Sequence, residues 1–206
     1  MTRSLSGVAV VVALIFWPMA PAVAQVAGSR GHPPAQEEPG DISPRYLLMN
    51  PRGRAVTGED FRGRFQLVTF GFVSCPDVCP TTLLAFKDIL QALGDKTARV
   101  QPIFITVDPE RDNGEILDAY TAAFDSRILG LTGSPELVRR AAQSFRVEFE
   151  KVREPGAAPD VYTMNHTAGM FLLDTHGGFV ARFAYSMPAG EIAGRIREAI
   201  AAGGFR

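Results

Sequence analysis

The sequence predicts an α/β domain in which a central mixed sheet is flanked by helices, with an N-terminal β-hairpin and an insertion. Three observations carry this. Gln66–Phe72 and Val100–Val107 are apolar, partly β-branched runs of the length that suits buried strands. Apolar residues recur at helical spacing after the first run and again before the C-terminus. Two clusters of turn-forming residues, Asn50–Gly53 and Asp174–Gly178, each separate a pair of short extended segments.

In chain order, Tyr46–Met49 and Arg54–Val56 flank the first turn cluster as a hairpin, and the strand Gln66–Phe72 follows. Pro80 suits the first position of a helix whose apolar face is Leu83, Leu84, Phe86, Leu90 and Leu93, ending near Gly94. After the strand Val100–Val107 come a short helix over Ile116–Phe124 and a short strand over Ile128–Leu131. Ser134 as cap and Pro135 in the first turn start a helix through Leu137, Val138, Ala141 and Phe145. Val147–Val152 is expected as an extended, partly exposed strand. Met170–Leu173 and Phe179–Tyr185 bracket the second turn cluster, and Ile192, Ile196 and Ile200 mark a C-terminal amphipathic helix. Strand, helix, strand, helix, then a closing hairpin and helix is the order of a thioredoxin-like fold, here enlarged by the insertion.

The N-terminus sets the compartment. Arg3 precedes the uncharged apolar run Val8–Phe16, Pro18 and Pro21 break any helix, and Ala22-Val23-Ala24 has the small-x-small pattern of a cleavage site. Residues 1–24 are therefore expected to be a signal peptide, with an uncleaved anchor as the alternative. Residues 25–44 are expected to be a flexible linker, since Gly28–Pro44 is rich in Gly, Pro and Glu. The folded domain, 45–206, is then expected in the periplasm, soluble or tethered, where thiols tend to be oxidised. A formal net charge of −1 and scattered basic residues give no basis for nucleic-acid binding. With only two cysteines in 206 residues, the chain must be held by its core and not by disulfides.

Both cysteines lie in Ser74-Cys75-Pro76-Asp77-Val78-Cys79-Pro80-Thr81-Thr82, between the first long strand and the first long helix. In a helical turn, residues four apart have Cα atoms roughly 6 Å apart on one face. A disulfide accepts that separation, and so do two sulfurs sharing one metal ion. A helix start also favours thiolate over thiol. A loop this short makes a poor structural staple, because closing it removes little chain entropy. Redox catalysis by Cys75 and Cys79 and metal binding by the same pair both remain.

FGFVSCPDVCPTTL, ITVDPERDNGEILDAY and NHTAGMFLLDTHGGF resemble the Sco/SenC copper-chaperone family of thioredoxin-like proteins, over roughly Tyr46–Ala201. The resemblance implies a copper ion bound by Cys75, Cys79 and His166. It also implies delivery to the binuclear copper site of a cytochrome c oxidase subunit, with a thiol reductant or another copper donor as a further partner. Two thiolates and one imidazole are soft donors of the kind copper(I) prefers, and the chain lacks the third cysteine a closed zinc site would use. Asn165 stands where the family usually has an acidic residue, and Asn113 where it commonly has Thr.

His176, in a Gly-rich turn, and His32, in the linker, are expected to be exposed. Asp77 is either a weak ligand or a solvated helix-start carboxylate. Asp108 and Asp112 either neighbour the metal or form a capped turn with an internal arginine pair. Met164, Met170 and Met187 are read as core. The alternative function is a thiol–disulfide oxidoreductase using Cys75 and Cys79 alone; peroxide reduction fits the proline-flanked pair less well.

Overall fold

The structure, a computed structural model, describes residues 42–158 and 160–203. These belong to one compact unit, Pro34–Arg206. The expected signal peptide and nearly all of the expected linker lie outside the described residues.

A five-stranded mixed sheet forms the centre, in the order Leu129–Leu131 (β5), Val100–Thr106 (β4), Phe65–Gly71 (β3), Met170–Leu173 (β8) and Phe179–Phe183 (β9). Its middle strand, β3 (Phe65–Gly71), is buried at every residue, as is expected of a strand covered on both faces. β4 (Val100–Thr106) and β5 (Leu129–Leu131) continue it in parallel, while β8 (Met170–Leu173) and β9 (Phe179–Phe183) continue it antiparallel on the other side. Among the described residues four α-helices complete the layers: α1 (Val78–Leu93), α2 (Gly114–Ala122), α3 (Pro135–Ser144) and α4 (Ala189–Ala201).

Alternation along β3 sends Phe70 and Gly71 to opposite faces. On one side Phe70 meets Phe145, at the end of α3, edge-on at 5.2 Å, and Phe171 of β8 closes that cluster at 5.3 Å from Phe145. On the other side Gly71 and Phe104 lie under Cys79 of α1. α4 packs alongside α1, where Arg197 Nη1 donates to the Ala92 carbonyl at 3.0 Å.

The hairpin forms as expected, with β1 (Leu47–Met49) paired to β2 (Ala55–Thr57). Asn50 Oδ1 accepts from the Arg52 and Arg54 amides at 3.0 Å each, which closes its turn. Helix starts differ from expectation. α1 begins at Val78, two residues ahead of Pro80, because the first four amides of a helix have no intrahelical partner and proline loses nothing there. α2 begins at Gly114, since Asn113 Oδ1 caps it by accepting from the Ile116 amide at 2.9 Å.

The larger departure is in the insertion. The strand expected at 147–152 is β6 (Phe149–Val152), and it pairs antiparallel with a further strand, β7 (Thr163–His166). β6 and β7 form a two-stranded sheet of their own, outside the central one. His166 ends this arm.

Candidate metal centre

The cysteine loop leaves β3 at Gly71, where a Cβ atom would stand 2.8 Å from both Cys79 Sγ and the Phe104 ring. Glycine is what leaves room for that sulfur. Cys75 is half-buried and Cys79 is 2% exposed; both are free thiols. The Cys79 amide donates to Cys75 Sγ at 3.4 Å, while Asp77, at the capping position, makes no side-chain cap bond. Cys75 sulfur therefore caps α1 in place of the aspartate.

His166 approaches from the arm. Its Nδ1 lies 3.1 Å from the Thr167 carbonyl, which can only accept, so Nδ1 carries the ring proton. Nε2 then presents its lone pair to Cys79 Sγ, 3.8 Å away. Phe72 meets the imidazole edge-on at 6.1 Å. With bonds of about 2.3 Å to sulfur and about 2.0–2.1 Å to nitrogen, an ion subtending about 120° separates its donors by roughly 3.8 Å; at the tetrahedral angle the separation is roughly 3.6 Å. The observed separation falls within the span that one ion could bridge.

Burial holds both groups neutral. It pushes the Cys79 thiol well above its ordinary range, with smaller contributions from Cys75 and Asp112, and pushes His166 below the ordinary histidine value. Cys79 then donates its weak S–H to the imidazole, a proton that an incoming ion must displace.

Cys75 and His166 line a cleft of about 210 Å³ together with Phe72, Asp77 and Met164. Among the described residues no group of three or more His, Cys, Asp or Glu side chains is already gathered closely enough to hold a metal ion. The site is open: Cys79 and His166 face one another and Cys75 sits at the rim.

Of the other candidates, Asp77 is exposed on the cleft wall. Asp108 and Asp112 are buried and form the turn with an internal ion pair, Asp108 to Arg111. Met164 and Met170 are buried, and Met187 packs against the core. His176 lies in the turn at the other end of β8, its amide donating to Asp174 Oδ1 at 2.7 Å. Two tyrosines went unread. Tyr162 donates its hydroxyl to Asp108 Oδ1 at 2.9 Å, and Tyr120 on α2 buries a hydroxyl without a hydrogen-bond partner. Tyr120 closes the segment ITVDPERDNGEILDAY and Tyr162 stands outside the family-like segments, and in both cases only the fold reveals the contacts.

The sequence profile of the SCO1/SenC family matches residues 34–201. This chain belongs to the SCO1/SenC family. The human mitochondrial SCO2 homolog is 38% identical over 159 residues, covering 76% of this chain and 59% of the human one. The chain thus spans rather more than half the length of such curated relatives. Among solved structures, Bradyrhizobium japonicum ScoI with copper bound is 36% identical, with a TM-score of 0.69 over 76% of this chain and 98% of that one. Yeast Sco1 with copper bound is 31% identical, with a TM-score of 0.70 over 78% of this chain and 88% of that one. The thioredoxin-like fold is therefore that of SCO1/SenC proteins, at least two of which hold copper.

Proposed function

We propose that this chain is a periplasmic copper carrier that takes one ion on Cys75, Cys79 and His166. It passes the ion by ligand exchange to the binuclear copper site of a cytochrome c oxidase subunit. The observation that carries the reading is the 3.8 Å approach of His166 Nε2 to Cys79 Sγ, beside a third soft donor at the rim. Copper in the Bradyrhizobium and yeast relatives supports it. An open side suits a carrier, since an acceptor's ligand must reach the ion before it leaves. Location outside the cytoplasm rests on the signal-like N-terminus, and the oxidase as client rests on the family resemblance.

Anaerobic titration of the reduced protein with copper(I) tests the ligand set. A one-to-one complex is expected, with affinity at least tenfold lower in His166→Ala, by the scale on which metal-site substitutions act. No stoichiometric complex, or an unchanged affinity in the variant, sinks the three-ligand site. For the client, a strain lacking the protein should assemble oxidase deficient in binuclear copper at low copper supply.

A second reading has its own observation. Cys75 is half-exposed at a helix start with Cys79 buried behind it, a layout that suits an attacking and a resolving thiol. Cys75 thiolate would open a partner disulfide to a mixed disulfide, releasing one partner thiolate. Cys79 would then displace the second, leaving Cys75–Cys79 oxidised and the partner reduced. That activity would survive His166→Ala, and Cys79→Ser would accumulate the mixed disulfide.

A further inference from the structure

The turn Asp108–Asp112 reaches both halves of the site. At its C-terminal end, buried Asp112 accepts from the Val73 amide at 3.0 Å and from Thr106 Oγ1 at 2.7 Å. This fixes the loop two residues ahead of Cys75. At its N-terminal end, buried Asp108 takes the Tyr162 hydroxyl on Oδ1 and the Arg111 Nε–H on Oδ2. Arg111 also donates Nη1 to the Tyr162 carbonyl at 3.0 Å and lies 3.8 Å over the Tyr162 ring. Lys151 of β6 comes within 4.2 Å of the same ring and pairs with Glu110 at 2.8 Å.

Tyr162 is the residue directly before β7, and His166 is the last residue of β7. The arm shares no ladder with the central sheet, and an isolated two-stranded ribbon is marginal in water. The bonds between Glu148 and Thr167 close the base of the arm, where the chain joins it to the core beside His166. At the opposite end, where the loop joins β6 to β7, the arm is held to the turn by the side chains of Tyr162, Arg111 and Asp108.

We propose that the Asp108–Arg111–Tyr162 clasp sets His166 against the cysteine pair, making Tyr162 and Arg111 positioning residues for metal capture. Through Asp112 the same short turn grips the cysteine loop, so one segment fixes the spacing between the two donors. This rests on the reading that Cys75, Cys79 and His166 share one ion.

Tyr162→Phe tests it, because the ring and its stacking on Arg111 stay while the bond to Asp108 is lost. Copper(I) affinity, by competition with a chromophoric chelator, is compared in the wild-type and His166→Ala backgrounds. The loss should be about tenfold in the first and absent in the second, the mark of an effect routed through His166. Arg111→Lys keeps the charge but loses the fork, and should weaken binding in the same background-dependent way. Without metal, the His166 ring resonances should shift or broaden in both variants.

An equal loss in both backgrounds overturns the proposal, since the clasp would then act on the fold at large. So does an unchanged affinity in Tyr162→Phe where His166→Ala weakens binding, an outcome that leaves the metal site standing. If His166→Ala itself changes nothing, it is the three-ligand site that fails. The metal-free ring resonances then decide the clasp: a shift upholds it and an unchanged spectrum overturns it.

Discussion

The cysteine half of the site hangs from the middle of the central sheet, whereas the histidine half hangs from a two-stranded arm outside it. Cys79 sits on α1 above Gly71, and the helix face that follows it, Leu83, Phe86, Ile89 and Leu90, is at most 1% exposed. On the arm, β6 has no buried residue and β7 has one, Met164. Well-buried segments open only near global unfolding, and exposed two-stranded segments open at lower cost. A carrier must hold an ion and also let it go. If Cys75, Cys79 and His166 share the ion as proposed, fixed sulfurs with a nitrogen on a separate arm would give the carrier one donor able to withdraw at lower cost than the core.

The largest test of this contrast is thermodynamic. Leu83→Ala, one turn beyond Cys79, should destabilise the apo protein by about 2–5 kcal/mol in a denaturant melt, the range for emptying a packed site. Phe149→Ala removes a half-buried side chain of the arm and should cost less, about 1–2 kcal/mol, because less apolar surface is exposed. Comparable costs would mean that the arm belongs to the same cooperative core.

Gly71→Ala comes next. The added methyl meets Cys79 Sγ and the Phe104 ring at 2.8 Å, a contact real Cβ atoms essentially never make. Strand and helix must part, at about 1–3 kcal/mol. The sulfur moves relative to His166, so copper(I) affinity should fall as well. A stable variant with unaltered affinity would show the sulfur free to relocate, against the view of this half as fixed.

The same contrast governs what the sequence could disclose. The cysteine half was legible because its determinants are contiguous: an apolar strand, both thiols within a few residues, and a helix stripe. Only the helix start was misplaced, since a proline fits several first-turn positions equally well. The arm was largely hidden. Thr163-Met164-Asn165-His166 is short and polar, and its strand character comes from pairing with β6, not from its own propensity. His166 could be named only through the family resemblance. Its geometric partners Cys79 and Phe72, and the Asp108 and Arg111 that Tyr162 engages, lie far off in sequence, so no local pattern records them.

The smallest expected effect concerns protons. His166 on the arm has its pKa lowered by burial, and the Cys79 thiol on the core has its own raised by burial. Unfolding returns the imidazole towards its ordinary value of 6.5, so the unfolded chain takes up a proton that the folded chain refuses. Stability should therefore fall as pH drops through about 6.5, by at most about 1.4 kcal/mol per pH unit from this one group. Cys79 works at the other end: its contribution is present below the unfolded thiol value of 9.0 and is lost as pH rises above it. Between these limits the pair stays neutral, and copper entry costs the thiol proton and none from Nε2. Wild type minus His166→Gln in acid denaturation isolates the histidine. A difference that is flat through pH 6.5 would mean that the arm leaves the imidazole open to water and does not bury it beside the sulfur.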